Sequence, residues 1–201
     1  ILTNESLKTI ELDMIQLLPL SKPVQTAKDY KAYLTRTLLN RLFKMRMNAW
    51  AFENPSYRKA SIQYSSFLNA TGVLLCSVEL LPGKMEKGIS EFIAQQQQIF
   101  RYGFTETEIE RAKKVIYNNL ENKLQNQQNP ASVELMNDIY ADFYVGNRFT
   151  SLQEEYRLVQ RYFPELDSVA LVRNLAKVYS PQKMHYLLRA NEKANKEVNG
   201  D

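Results

Sequence analysis

Four residues, Tyr102-Gly103-Phe104-Thr105, must end one helix and begin the next, and this joint limits what the chain can become. Gly103 suits the left-handed residue just past a helix end, where a Cβ is costly. Thr105 and Glu108 have the spacing of a capping box: the hydroxyl accepts from the Glu108 N–H, and the carboxylate reaches back to the Thr105 N–H. Glu106, Glu108 and Glu110 suit the positive end of the following helix. Before the joint the residues read strand, helix, strand, strand, helix. After it they read almost wholly helix.

The strands show as alternation. Ile10, Leu12, Met14 and Leu18 share one parity within 8–18, with Thr9, Glu11 and Asp13 on the other. Ala60, Ile62, Tyr64 and Leu68 alternate with Ser61, Gln63 and Ser65. Asn69-Ala70-Thr71-Gly72 has hairpin-turn chemistry, and Leu74, Cys76, Val78 and Leu80 then point inward. A closing strand over 183–190 sets Met184, Tyr186, Leu188 and Ala190 against His185, Leu187 and Arg189.

The helices show as 3.6-residue stripes. Thr26 with Asp29 opens one whose apolar face is Tyr30, Leu34, Leu38, Leu42 and Met45. Leu39, Phe43 and Met47 widen that face, which predicts burial on more than one side. Residues 48–57, with Trp50, Phe52 and Pro55, read as an irregular connection. Its aromatics either pack under the helix or form a contact surface. Phe92, Gln96, Ile99 and Phe100 mark the helix before the joint, and Ile109, Ala112, Ile116, Leu120 and Leu124 the one after it. Pro130 starts another, with a predicted face of Val133, Met136, Ile139, Tyr140 and Phe143 and a stop at Gly146. Ser151 with Glu154, and Asp167 before Val169, Val172, Leu175, Ala176 and Tyr179, cap two more. The expected fold class is α+β: a mixed β-sheet of about four or more strands, with helices on one face and room for a split β-α-β arrangement. Residues 1–190 are expected to form a single domain, followed by a polar tail over 191–201.

Counting residue types narrows the chemistry. His185 is the single histidine among 201 residues, so neither His-x-x-Glu-His nor His-Glu-x-x-His can be written. The single cysteine, Cys76, reads as a buried small hydrophobe and allows no intrachain disulfide. The acid pairs Glu11/Asp13, Glu108/Glu110 and Glu154/Glu155 are explained by a polar strand face and by helix starts. The six glycines form no phosphate loop. A net charge of +4, spread among alternating acids and bases, reads as solvated helix faces rather than a nucleic-acid surface. No apolar run approaches the roughly 20 residues of a membrane span. The opening on Ile1, without Met and without a signal-peptide pattern, is what a fragment or processed chain would show.

Three blocks, in order, resemble the pitrilysin/insulinase family of zinc peptidases. The first is Asp29-Tyr30-Lys31-Ala32-Tyr33-Leu34 leading to Leu39-Asn40-Arg41-Leu42. The second is the 61–81 hairpin followed by Pro82-Gly83. The third is Gly103-Phe104-Thr105-Glu106-Thr107-Glu108-Ile109-Glu110-Arg111-Ala112-Lys113. The resemblance spans about 8–190 and is strongest to the domain that follows the zinc domain. It implies a non-catalytic domain of a zinc metalloendopeptidase that supports the catalytic domain and walls part of the substrate chamber. The alternative is a catalytically inactive binding or scaffold subunit of the same fold. The implied partners are the catalytic domain, in the same polypeptide or in a partner subunit, and an unfolded peptide substrate. Zinc is expected in the parent's catalytic domain and none in this chain, with no catalytic or metal-binding residue here. The family's Arg-then-Tyr substrate clamp has its nearest match in Arg46 and Tyr57, at a longer separation. With Trp50 and Phe52 these are the candidate substrate or domain contacts. A bacterial periplasm or cell envelope is the compartment the resemblance implies.

Overall fold

The computed structural model describes residues 2–3, 9–20, 22–53, 56–67, 71–126, 136, 140, 143–148 and 150–190. The chain runs through β1 (Leu2–Thr3), β2 (Ile10–Leu18), α1 (Ala27–Glu53), β3 (Tyr57–Phe67), β4 (Thr71–Leu80), α2 (Met85–Tyr102) and α3 (Glu106–Gln125). It continues through α4 (Leu152–Tyr162), a 3₁₀ turn at Phe163–Glu165, α5 (Ser168–Val178), a second 3₁₀ turn at Pro181–Lys183, and β5 (His185–Ala190). The sheet order is β1-β5-β2-β4-β3. All neighbours are antiparallel except β1 with β5, so the sheet is mixed. Both β2 and β3 pair antiparallel with β4, which lies between them, so they run parallel to each other and β2-α1-β3 is a split β-α-β unit.

Register follows from the alternation. Leu12 pairs with Val78 and Val78 with Ala60; Met14 pairs with Cys76 and Cys76 with Ile62. All six are buried, because period-2 side chains put one parity of every strand on the same face. Helices cover that face. Leu34, Leu38, Leu39, Leu42, Phe43 and Met47 of α1 are all buried, as the widened stripe predicts.

Helix α1 also closes the free edge of β3. The Asn40 side chain donates from Nδ2 to the Tyr64 carbonyl at 2.7 Å and accepts from the Tyr64 N–H at 2.8 Å, replacing the two bonds a further strand would make. Helix α2 sits close to the sheet because Gly88 lets it: a Cβ there would lie 2.7 Å from the Ser56 carbonyl oxygen and 2.8 Å from Leu80 Cδ2.

The caps form where the residues place them. Thr26 and Asp29 make a reciprocal box, Ser151 accepts from the Glu154 N–H at 3.2 Å, and Asp167 accepts from the Ala170 N–H at 2.7 Å. Four expectations need correction. The 48–57 stretch is not irregular throughout: α1 continues to Glu53 and β3 starts at Tyr57, with a bulge between Tyr57 and Lys59. In α5 the core residues are Leu171 and Leu175, while Val169 and Ala176 are exposed, because the buried stripe is rotated by roughly a quarter of a turn. Tyr186 shares the inward parity of β5 yet is exposed. Thr71 and Gly72 belong to β4 rather than to the hairpin turn. The rest of that turn, most of the helix expected after Pro130, and the tail lie outside the described residues.

Candidate contact surface

The parity of the strands that does not enter the core forms an open sheet face. Pairing aligns Arg189, Glu11, Glu79 and Lys59 in one row, and Leu187, Asp13, Ser77 and Ser61 in the next. His185, Ile15, Leu75 and Gln63 follow, then Leu17, Val73 and Ser65. The face thus grades from a charged end to an apolar end. No described helix is packed on it in the way α1 and α2 are packed on the core face.

The charged end is tied together. One Arg189 nitrogen, Nη2, lies 2.7 Å from both Glu11 Oε2 and Asp13 Oδ2. Ser77 Oγ donates to Asp13 Oδ1 at 2.6 Å, and Arg58 reaches Glu79 at 2.9 Å. The Glu11/Asp13 pair is therefore an arginine-bound structural pair. The other acid pairs are also occupied: Glu110 with Lys113 at 2.9 Å, and Glu155 accepting from the Tyr30 hydroxyl at 3.0 Å. Sequence reasoning missed the Asp13–Arg189 link. Each residue is visible in its strand, but the meeting of β2 and β5 is a long-range pairing that alternation cannot reveal.

Arg46 serves the joint. Its Nε donates to Glu108 Oε1 at 2.7 Å, Nη2 pairs with Glu108 Oε2, and Nη1 donates to the Gly103 carbonyl at 3.1 Å. The guanidinium also sits 4.8 Å from the Phe104 ring centroid and 5.6 Å from that of Trp50. The side chain is only 12% exposed. Burial by itself would raise the Glu108 carboxyl, but the Arg46 guanidinium and the Thr105 N–H and hydroxyl outweigh it and hold the pKa below the usual carboxylate range. Gly103 has φ 71°, and the Thr105–Glu108 box is complete.

Tyr57 is 2% exposed, and its hydroxyl donates to Gln95 Oε1 at 2.7 Å. Burial and the nearby Glu91 raise its pKa against the lowering effect of Gln95. Arg46 and Tyr57 thus bond to different partners and form no clamp; Tyr57 is a core residue because β3 begins at Tyr57, ahead of the alternation that starts at Ala60. Trp50 is half-buried against the core, whereas Phe52, at the end of α1, is 94% exposed. Trp50 thus packs as one of the two readings expects, and Phe52 does not.

The described residues bring no zinc-ligand set together. His185 is exposed and opposite Ile15 in the sheet, and no group of three or more His, Cys, Asp or Glu among the described residues is placed to hold a metal ion. Cys76 is fully buried, and burial pushes its thiol up to about 12. A cleft of about 410 Å³ lies between the starts of α1 and α4, lined by Val24, Thr26, Tyr30, Arg148, Ser151 and Leu158 among others. No helix among the described residues is long and apolar enough to cross a membrane.

No family model matches the chain, and no curated protein matches it in sequence. Solved structures do match in shape. The periplasmic protease PqqL from Escherichia coli superposes with a TM-score of 0.88 at 15% identity, over 98% of this chain and 22% of that one. A predicted insulinase family protease from Yersinia pestis gives 0.77 at 14% identity, over 98% of this chain and 44% of that one. A structure described as a peptidase M16 inactive domain, from Pseudomonas fluorescens, gives 0.66 at 14% identity, over 94% of this chain and 41% of that one. The chain therefore has the fold of a domain found in M16 insulinase-type peptidases, and spans less than half the length of each of these three.

Proposed function

We propose that this chain is a non-catalytic domain of a larger insulinase-type zinc metallopeptidase, in which it supports the catalytic domain and walls part of the chamber that holds an unfolded peptide. The observation that carries the reading is the graded sheet face. Its charged end is salt-linked, and at its apolar end Leu17 is exposed while Ile15, Val73 and Leu75 are half-buried, unlike the buried residues of the core face. Such a face can hold an extended chain by apolar contact without offering it a nucleophile. The catalytic zinc and its general base would sit in another domain, and no step of hydrolysis runs through residues of this one. The likeness to a periplasmic protease supports the periplasm as the compartment.

The test is kinetic and uses the complete natural polypeptide. Leu17→Asp changes an exposed side chain, so the fold is retained. It is expected to raise KM for an unfolded apolar peptide about three- to ten-fold with kcat unchanged, the pattern of lost uniform binding. Unchanged kinetics with Leu17→Asp and with Leu75→Gln would remove the chamber wall from the reading. The exposed Phe52 supports a second reading, an inactive scaffold subunit that meets its partner through the end of α1. Under that reading Phe52→Ala weakens assembly and the open-face variants do nothing.

A further inference from the structure

The cleft between the starts of α1 and α4 takes no part in the chamber-wall role. Its volume of about 410 Å³ falls within the range of small-ligand pockets, roughly 300–1,000 Å³. Two segments far apart in sequence are tied together at its mouth. The Arg148 N–H donates to the Val24 carbonyl at 2.7 Å, and the Val24 N–H donates to Asn147 Oδ1 at 2.8 Å, across 123 positions. The Arg148 backbone is thereby fixed at the rim.

The floor is apolar. Tyr30 is buried, and Val24 and Leu158 are half-buried against the core. The Tyr30 hydroxyl is already bonded to Glu155 at 3.0 Å. The charges around the rim are unequally committed. Glu154 lies 3.5 Å from Arg157, and Asp29 accepts from the Thr26 N–H at 3.0 Å and from its hydroxyl at 2.7 Å. Arg148 is exposed, and its guanidinium has no hydrogen-bond or ion-pair partner among the described residues. The uncommitted group is thus one planar guanidinium, whose fork matches a carboxylate. Both helix starts at the rim already carry side-chain caps, from Thr26 and Ser151, so the preference for an anion rests on Arg148 and not on them.

We infer that this cleft binds the C-terminal residue of a peptide when that residue has an apolar side chain. The side chain lies on Val24, Tyr30 and Leu158, and the carboxylate pairs with Arg148. A free apolar amino acid carries the same two groups. Naming a peptide end rests on the reading of this chain as a peptidase domain; the chemistry of the cleft does not. No residue of the open sheet face lines the cleft, so the site stands or falls apart from the chamber wall.

Calorimetric titration of the complete natural polypeptide with N-acetyl-leucine, N-acetyl-leucinamide and leucine tests this. N-acetyl-leucine is expected to bind about five-fold more tightly than N-acetyl-leucinamide, which keeps the side chain and loses the carboxylate. Arg148→Gln is expected to abolish that difference. Ala27→Phe, at an exposed position of the cleft wall, is expected to weaken N-acetyl-leucine about ten-fold by filling the space. Binding that neither variant changes would lie elsewhere in the polypeptide and would overturn the site. Equal affinities for acid and amide, or no binding at millimolar ligand, would overturn it too. Tighter binding of leucine than of N-acetyl-leucine would assign the cleft to a free amino acid and overturn the peptide end. None of these results alters what Leu17→Asp does to KM.

Discussion

Arg46 can meet a carboxylate, a carbonyl and two aromatic rings at once because a planar guanidinium has donors in its plane and a weakly hydrated face above it. Replacing it removes charge, fork and packing together. Arg46→Ala is expected to cost about 2–4 kcal/mol in urea unfolding, and Arg46→Lys to recover less than half of that, since an ammonium cannot bond Glu108 at both oxygens. The pH dependence follows from Glu108. Its folded pKa lies below the ordinary carboxylate value, so its contribution is complete above that ordinary value, about 4.5, and is lost as pH falls through the folded pKa. Glu108→Gln should therefore flatten the acid limb of the stability curve and change stability most near neutral pH. Cys76 offers a separate check. Fully buried, with its thiol pushed up to about 12, it should react with a disulfide reagent only on unfolding, giving a labelling rate that follows the unfolding equilibrium.

At the scale of elements, the caps of the α2–α3 joint were legible because they are local, a helix end, a left-handed glycine and a reciprocal cap within six residues, whereas the Arg46 brace from α1 was not. Gly103→Ala is expected to cost about 1–3 kcal/mol, since the backbone there has φ 71° and ψ −139° and a Cβ would lie 2.5 Å from Val172 Cγ2. Calorimetry would register it as a lowered unfolding temperature. Strand faces were legible for the same local reason. The end of α1 was not: Trp50, Phe52 and Pro55 suggest a loop, but Trp50 packs on the core beside Arg46, and tertiary contact keeps the helix going to Glu53. Two-residue β1 is too short to alternate, and its pairing to β5 joins opposite ends of the chain. The Asn40 amide on the edge of β3 escaped notice because nothing local marks a side chain 24 residues away as its partner.

At the scale of the molecule, a single histidine ruled out the two zinc motifs before any coordinates, and the order of three blocks pointed to a fold that the structural neighbours share. The candidate site was less legible. Arg46 and Tyr57 are spent on internal bonds, and only Phe52 of the four expected contacts stands fully in solvent. What replaces them is a surface made by sheet register, and register emerges only when distant strands meet. Charges paired internally and an apolar lane beside them are the features on which the proposed supporting role rests. The most direct measurement is to read the natural coding frame upstream of Ile1. The account predicts a His-x-x-Glu-His motif about one domain, roughly 200 residues, earlier. A frame that starts within a few residues of Ile1, or a preceding domain without that motif, would contradict it.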